Sequence, residues 1–232
     1  SYCDALGIRS FADGKDLEAD VGEHKFKAMA QLVDKPLINL ESAANHPCQA
    51  LADWKTLDEL GIARRGKFVL AWAYHPRALP LAVPAATVHM AAMRGMDVTV
   101  LRPEGFALPP AIMDKARRAG AGAGGTVRET SDRREALEGA DVVYVKEWAG
   151  TAHYGDEAFD AQARRGLADW CLREEWLEGA RADCRVMHCL PVRRNVAIAD
   201  ALLDGKRAAV LRQAYNRLPV QMAVLYRLLK PA

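Results

Sequence analysis

Residues 39–54 read NLESAANHPCQALADW, an apolar run followed by a carboxylate, a small polar stretch and then His46, Pro47, Cys48 and Gln49. Proline sits in a first helical turn without losing a hydrogen bond, because the amides there have no partner inside the helix. Pro47 therefore marks a helix start, and His46 and Gln49, three residues apart, share a face beside outward-pointing amides of partial positive charge. That is a small polar cluster suited to an anion. A second set, MHCLPVRRN over 187–195, ends an apolar run in His188, Cys189 and Leu190, where Pro191 stops sheet pairing. Arg193 and Arg194 follow, as loop cations that are either solvated or functional. A third piece is AYNRLP, in which Arg217 opens the last helical pattern.

Those residues need a scaffold, and the bulk numbers bound it. The chain has 232 residues, half of them hydrophobic, with 32 basic and 30 acidic side chains. That length buries a sizeable core in one large domain or two smaller ones. A net charge of +2 excludes a polybasic footprint for nucleic acid or membrane, which leaves small molecules and other subunits as partners. The sequence has no apolar run of membrane-spanning length, and SYCDALGIRS lacks the features of a secretory signal, so a cytoplasmic location is expected. Five cysteines, at 3, 48, 171, 184 and 189, form no Cys-x-x-Cys pair, which points to free thiols in a reducing compartment and to no metal site.

Apolar runs at 5–11, 36–41, 67–73, 97–103, 141–148, 184–191 and 208–214 read as buried strands. Helical patterns fall near 24–33, 47–60, 84–94, 110–119, 131–138, 161–178, 196–204 and 216–229. Apolar strands alternating with helices predict an α/β protein whose parallel sheets are covered by helices, with ligands beyond the carboxyl ends of strands. Lys146, His188 and Cys189 lie at such ends, and Glu41 ends another run. The GAGAGG stretch at 120–125 follows a helix instead of a strand, so it predicts a flexible loop and no dinucleotide site. Ser131 is the expected cap of the helix after it. The first 45 residues hold too few elements to close a core. They read as the back part of a domain (1–46), joined by a bridging helix (47–60) to a larger domain (61–205), with 206–232 returning as a strand and helix. A front portion is expected upstream.

Taken together, these pieces resemble the aspartate and ornithine carbamoyltransferase family. Its His-Pro-x-Gln signature stands at His46, Pro47, Cys48 and Gln49; its His-Cys-Leu-Pro signature stands at His188, Cys189, Leu190 and Pro191; its late arginine stands at Arg217. The proline-rich segment WAYHPRALPLAVPAAT at 72–87 and the Lys-x-Trp element at 146–148 are similar to the N-acetylornithine and N-succinylornithine branch. The resemblance implies a partial carbamoyl-phosphate domain, a complete Rossmann-like amino-acid-binding domain and a knot formed by the proline-rich loop. It also implies carbamoyl transfer from carbamoyl phosphate to the side-chain amine of an N-acylated ornithine, in arginine biosynthesis, by a homotrimer without cofactors. Within it, His46 and Gln49 bind and polarise the carbamoyl group together with Arg217, in the signature that includes Pro47 and Cys48. Cys189 and Leu190 lie against the carbamoyl amino group, and Glu41 and Lys146 contact the acylated amino acid. No covalent intermediate is needed and no base is obvious beside Cys189, so it is not expected to be a nucleophile. His75 is expected to be a plain loop residue.

Two departures qualify the match. The family's phosphate-cradling Ser-x-Arg-Thr does not occur in this sequence, SDRR at 131–134 being the nearest string. Ala197 stands where some N-acetylornithine enzymes carry a modified lysine. Each lost charge-assisted hydrogen bond to phosphate is worth roughly 1.5–3 kcal/mol, so this chain is expected to bind carbamoyl phosphate poorly or not at all, with turnover alone far below a normal enzyme rate. The rival readings are a transcarbamylase-like regulatory or assembly subunit and a nucleotide-dependent oxidoreductase; the misplaced glycines count against the second.

Overall fold

The computed structural model describes residues 2–230. Two parallel sheets carry the chain. Strands β1 (Leu6–Ser10) and β2 (Leu37–Ser42) pair with each other, connected by the short helices α1 (Leu17–Val21) and α2 (His24–Ala30). Helix α3 (Pro47–Glu59) then leads to a five-stranded sheet of β3 (Lys67–Trp72), β4 (Asp97–Leu101), β5 (Thr126–Thr130), β6 (Val142–Lys146) and β7 (Arg185–Met187), in the order β5-β4-β3-β6-β7. All four of its pairings are parallel. The chain winds outward from β3 through α4 (Ala82–Met93), α5 (Pro110–Ala123) and α6 (Arg133–Leu137), then returns to β6 beside β3. Such a reversal opens a crevice at the carboxyl ends of the two central strands.

Strands β3 and β6 are buried almost throughout, as strands covered on both faces must be. Helix α4, AVPAATVHMAAM, is apolar around most of its circumference because it packs against both α3 and α5. The remaining helices are α7 (Glu157–Ala163), α8 (Asp200–Leu203) and α9 (Val210–Leu229); α9 lies along α3 and touches β7.

Several expected elements are corrected. Residues 208–214 are no strand: Ala208 makes one isolated bridge to Val186, and from Val210 the apolar run is already the first turn of α9. The helix expected over 161–178 stops after Ala163; Gly166 takes a positive φ of 83°, and a 3-10 turn at Glu174–Leu177 follows separately. Helix 196–204 shrinks to the four residues of α8. The glycine run is largely helical, since α5 continues through Ala123. Gly124 ends it at a φ of 80°, and a Cβ on Gly125 would stand 2.3 Å from the Met96 carbonyl oxygen, so the run serves a tight helix exit. Asp132, rather than Ser131, caps α6 by accepting from the Glu135 amide.

Candidate active site

A cavity of about 510 Å³ opens beyond the carboxyl ends of β6 and β7 and is walled from three directions. The two-stranded unit and the start of α3 supply Arg9, Glu41, His46 and Gln49; the five-stranded unit supplies Val83, Lys146, Cys189 and Leu190; α9 supplies Arg217 and Gln221. Thus Glu41, His46, Gln49, Lys146, Cys189, Leu190 and Arg217 meet in one space. Pro47 and Cys48, expected with them, turn away and line an apolar groove with Leu37, Val220 and Val224. Successive helix residues are rotated by about 100°, so residues between two cavity-facing positions point elsewhere. The Cys48 thiol instead sits 3.8 Å from the Asn39 carbonyl oxygen.

His46 occupies the N-cap of α3 without capping through its side chain. Its Nε2 lies 3.8 Å from Glu41 Oε2, and its Nδ1 is buried without a partner among the described residues. Burial brings its pKa down to about 4, with Glu41 opposing and Arg217 and Arg9 adding to the shift. The ring is therefore neutral at pH 7, which leaves one N–H to donate and no charge of its own. Arg9, on β1, donates to Glu41 and ties that carboxylate to the β1–β2 wall. Arg217 Nη1 donates to Gln49 Oε1 at 2.7 Å, while its buried Nε has no partner among the described residues.

On the opposite wall Lys146 Nζ donates to Glu147 Oε2 at 2.8 Å, and the same oxygen lies 3.3 Å from His188 Nε2. His188 Nδ1 accepts from the Leu190 amide at 2.9 Å, so its proton resides on Nε2, facing Glu147. Burial opposes ionisation of Glu147, yet His188 and Lys146 outweigh it and bring its carboxyl down to about 2. Burial likewise works against a charged Lys146, but Cys189, as it ionises at high pH, and the Glu147 and Glu41 carboxylates outweigh it and raise its pKa. The lysine is a fixed cation at the cavity wall. Leu190 holds a left-handed φ of 53°, a costly conformation for a branched residue, and the bond from its amide to His188 holds it there.

Burial pushes the Cys189 thiol up to about 11 against the pull of Lys146, so it stays protonated at neutral pH and is a poor nucleophile. His75 accepts at Nε2 from Arg193 Nε, 3.0 Å away, which makes it a support for that arginine. Ala197 is fully buried and its amide donates to the Arg193 carbonyl. Arg9, Glu147 and Asp53 were not singled out by sequence reasoning. Only Asp53 carried a local signal, its spacing of four from Gln49 on one helix face.

The Asp/Orn-binding domain of aspartate/ornithine carbamoyltransferases matches residues 83–228. An N-succinylornithine carbamoyltransferase of Bacteroides thetaiotaomicron is 33% identical over 229 residues, covering 99% of this chain and 67% of the relative. The chain belongs to the aspartate/ornithine carbamoyltransferase family. An N-acetylornithine carbamoyltransferase of Xylella fastidiosa is 35% identical, over 97% of this chain and 67% of its own length. The crystal structure of an acetylornithine transcarbamylase complexed with acetylcitrulline superposes with a TM-score of 0.94 at 33% identity, covering 99% of this chain and 70% of that one. The chain thus spans about two thirds of the length of these carbamoyltransferases. Among the described residues no helix is long and apolar enough to cross a membrane.

Proposed function

We propose that this cavity transfers a carbamoyl group from carbamoyl phosphate to the side-chain amine of an N-acylated ornithine, giving the N-acylcitrulline and phosphate for arginine biosynthesis. The observation that supports it is the convergence on one cavity of His46, Gln49 and Arg217 with Lys146, Cys189 and Leu190, residues from separate stretches of the chain. The neutral amine attacks the carbonyl carbon, the bond from carbon to the phosphate oxygen breaks, and the departing phosphate takes the amine proton. Negative charge grows on the carbonyl oxygen in that step, where a neutral imidazole donor at His46 and the Arg217 cation stabilise it. Lys146, held cationic, pairs with the α-carboxylate of the acceptor, and Glu41 contacts its acylated amine. Holding both reactants in one cavity removes the entropic cost of their encounter.

The same reading includes a cytoplasmic homotrimer with sites shared between subunits and a knotted path of the loop after β3. That loop is tied down by the Ala149 amide on the Leu79 carbonyl and by Arg164 on the His75 carbonyl. The arginines lining the cavity are Arg9 and Arg217, and Arg9 is engaged by Glu41, so turnover by this chain is expected to be slow. Incubation with carbon-13-labelled carbamoyl phosphate tests the reaction: label should enter N-acetyl- or N-succinylcitrulline and leave ornithine unmodified. Label in neither product, with substrates at millimolar concentration, contradicts the proposal.

A further inference from the structure

Beneath the cavity floor lies a carboxylate for which the proposed reaction has no use. Asp53, one turn after Gln49 on α3, is fully buried and has no cation hydrogen-bonded to it. Its Oδ1 accepts from Gln49 Nε2 and from Gln213 Nε2, each at 2.7 Å. A carboxylate buried at such depth without an ion-pair partner is costly, and burial pushes its pKa up to about 7. Folding alone does not call for it: a leucine would fill the position with no polar group to satisfy.

The polar logic of this network has one solution. The His188 backbone amide donates at 3.0 Å to the Gln213 side chain; an amide N–H only donates, so it faces Oε1 and Gln213 must turn its NH₂ toward Asp53. At Gln49 the Arg217 guanidinium, also purely a donor, faces Oε1 at 2.7 Å and leaves Nε2 for Asp53. Both NH₂ groups therefore converge on one oxygen. That oxygen accepts whether the carboxyl is ionised or protonated on Oδ2, and the buried Tyr144 hydroxyl also interacts with this carboxyl. We infer that Asp53 is a positioning residue that locks the Gln49 carboxamide with its carbonyl oxygen toward the cavity, so that the site offers an acceptor there and selects a donor ligand carrying N–H groups. Through Gln213 the same carboxyl fixes α9 against the start of the Cys189–Leu190 wall.

In the proposed reaction the group so selected is the NH₂ of the carbamoyl donor, and acetyl phosphate, which carries a methyl group there, is the ligand that the lock should reject. The specificity reading rests on that reaction; the lock itself does not. Two variants separate acceptor from charge. Asp53→Asn keeps one oxygen in place and removes the charge, whereas Asp53→Leu keeps the branched four-atom outline, at a larger volume, and removes the acceptor.

Side-chain amide spectra of nitrogen-15-labelled protein read the lock without any ligand, with Gln49→Leu and Gln213→Leu variants assigning the two NH₂ pairs. Wild type and Asp53→Asn should show both pairs protected from solvent exchange. Asp53→Leu, with its fold checked by backbone spectra, should exchange the Gln49 pair at least about tenfold faster, the equivalent of one lost hydrogen bond. An unchanged Gln49 pair in folded Asp53→Leu overturns the inference. The second arm titrates wild type and Asp53→Leu with carbamoyl phosphate and acetyl phosphate. A wild-type preference for carbamoyl phosphate that falls about tenfold in the variant supports the specificity role, and a preference that survives intact refutes it. If wild type binds neither ligand, the proposed reaction fails, while the spectra still decide the lock.

Discussion

The two walls of the cavity are built to different standards. Lys146 ends β6, Glu147 follows it and Cys189 follows β7, in a five-stranded sheet whose central members are 0–1% exposed over most of their length. Glu147 is itself buried between two partners. Glu41 and Arg9 sit on a two-stranded sheet whose residues are mostly half-buried, and the Arg9 side chain that holds Glu41 is 56% exposed. Two parallel strands are a weak scaffold by themselves. The wall carrying Lys146 and Cys189 is thus rigid by construction, whereas the other wall takes its order from α3 and from the buried network joining it to α9.

The contrast breaks most visibly at Glu147. Glu147→Leu strands Lys146 and His188 without their shared acceptor in a buried site, and should lower unfolding free energy by about 3–5 kcal/mol in urea titration. A loss below about 1 kcal/mol would mean that the wall is not held as described. Somewhat smaller is the effect of pH. The native His46 pKa of about 4 lies below its ordinary 6.5, so the unfolded chain takes up a proton first as pH falls. This residue's contribution is present above pH 6.5 and is lost as pH falls to about 4, on the order of 3 kcal/mol in all. His46→Asn should flatten that acid limb. Asp53 has the opposite sign: its raised pKa makes the native state the better proton binder from the ordinary carboxylate range up to about 7, so its contribution weakens as pH rises through that window. Asp53→Asn should remove this decline, as read from melting temperatures at pH 5 and pH 8.

Hydrogen exchange sharpens the comparison directly. Amides of β3 and β6 should exchange at least about a hundredfold more slowly than those of β1 and β2, which open locally. Equal rates would erase the distinction between the walls. The smallest effect is expected for Glu41→Gln, which gives up a pair with a largely exposed partner and should cost under about 1 kcal/mol of stability.

What the sequence displayed and what it hid divide along physical lines. His46 and Gln49 were legible because proline in a first turn dates the helix start and fixes which neighbours share a face. Lys146 and Cys189 were legible because they end apolar runs in an α/β alternation. Pro47 and Cys48 were misplaced because membership of a motif says nothing about direction around a helix. The 208–214 run was misread because apolar residues that begin an amphipathic helix look like a short buried strand, and only pairing along β7 decides between them. Arg9 and Glu147 stayed hidden because their roles arise from contacts across 32 and 41 positions of chain. Asp53 had a visible spacing to Gln49, but its other partner, Gln213, is 160 residues away.

The central claim is that two cations of the cavity, Arg217 and Lys146, serve two different ligands. Dissociation constants for carbamoyl phosphate and for N-acetylornithine, measured by calorimetry on wild type, Arg217→Met and Lys146→Met, test it most directly. Each variant removes one cation, so Arg217→Met should weaken carbamoyl phosphate at least about tenfold and leave the acylated amino acid within about twofold, with the reverse for Lys146→Met. Both variants binding both ligands as wild type does would contradict it.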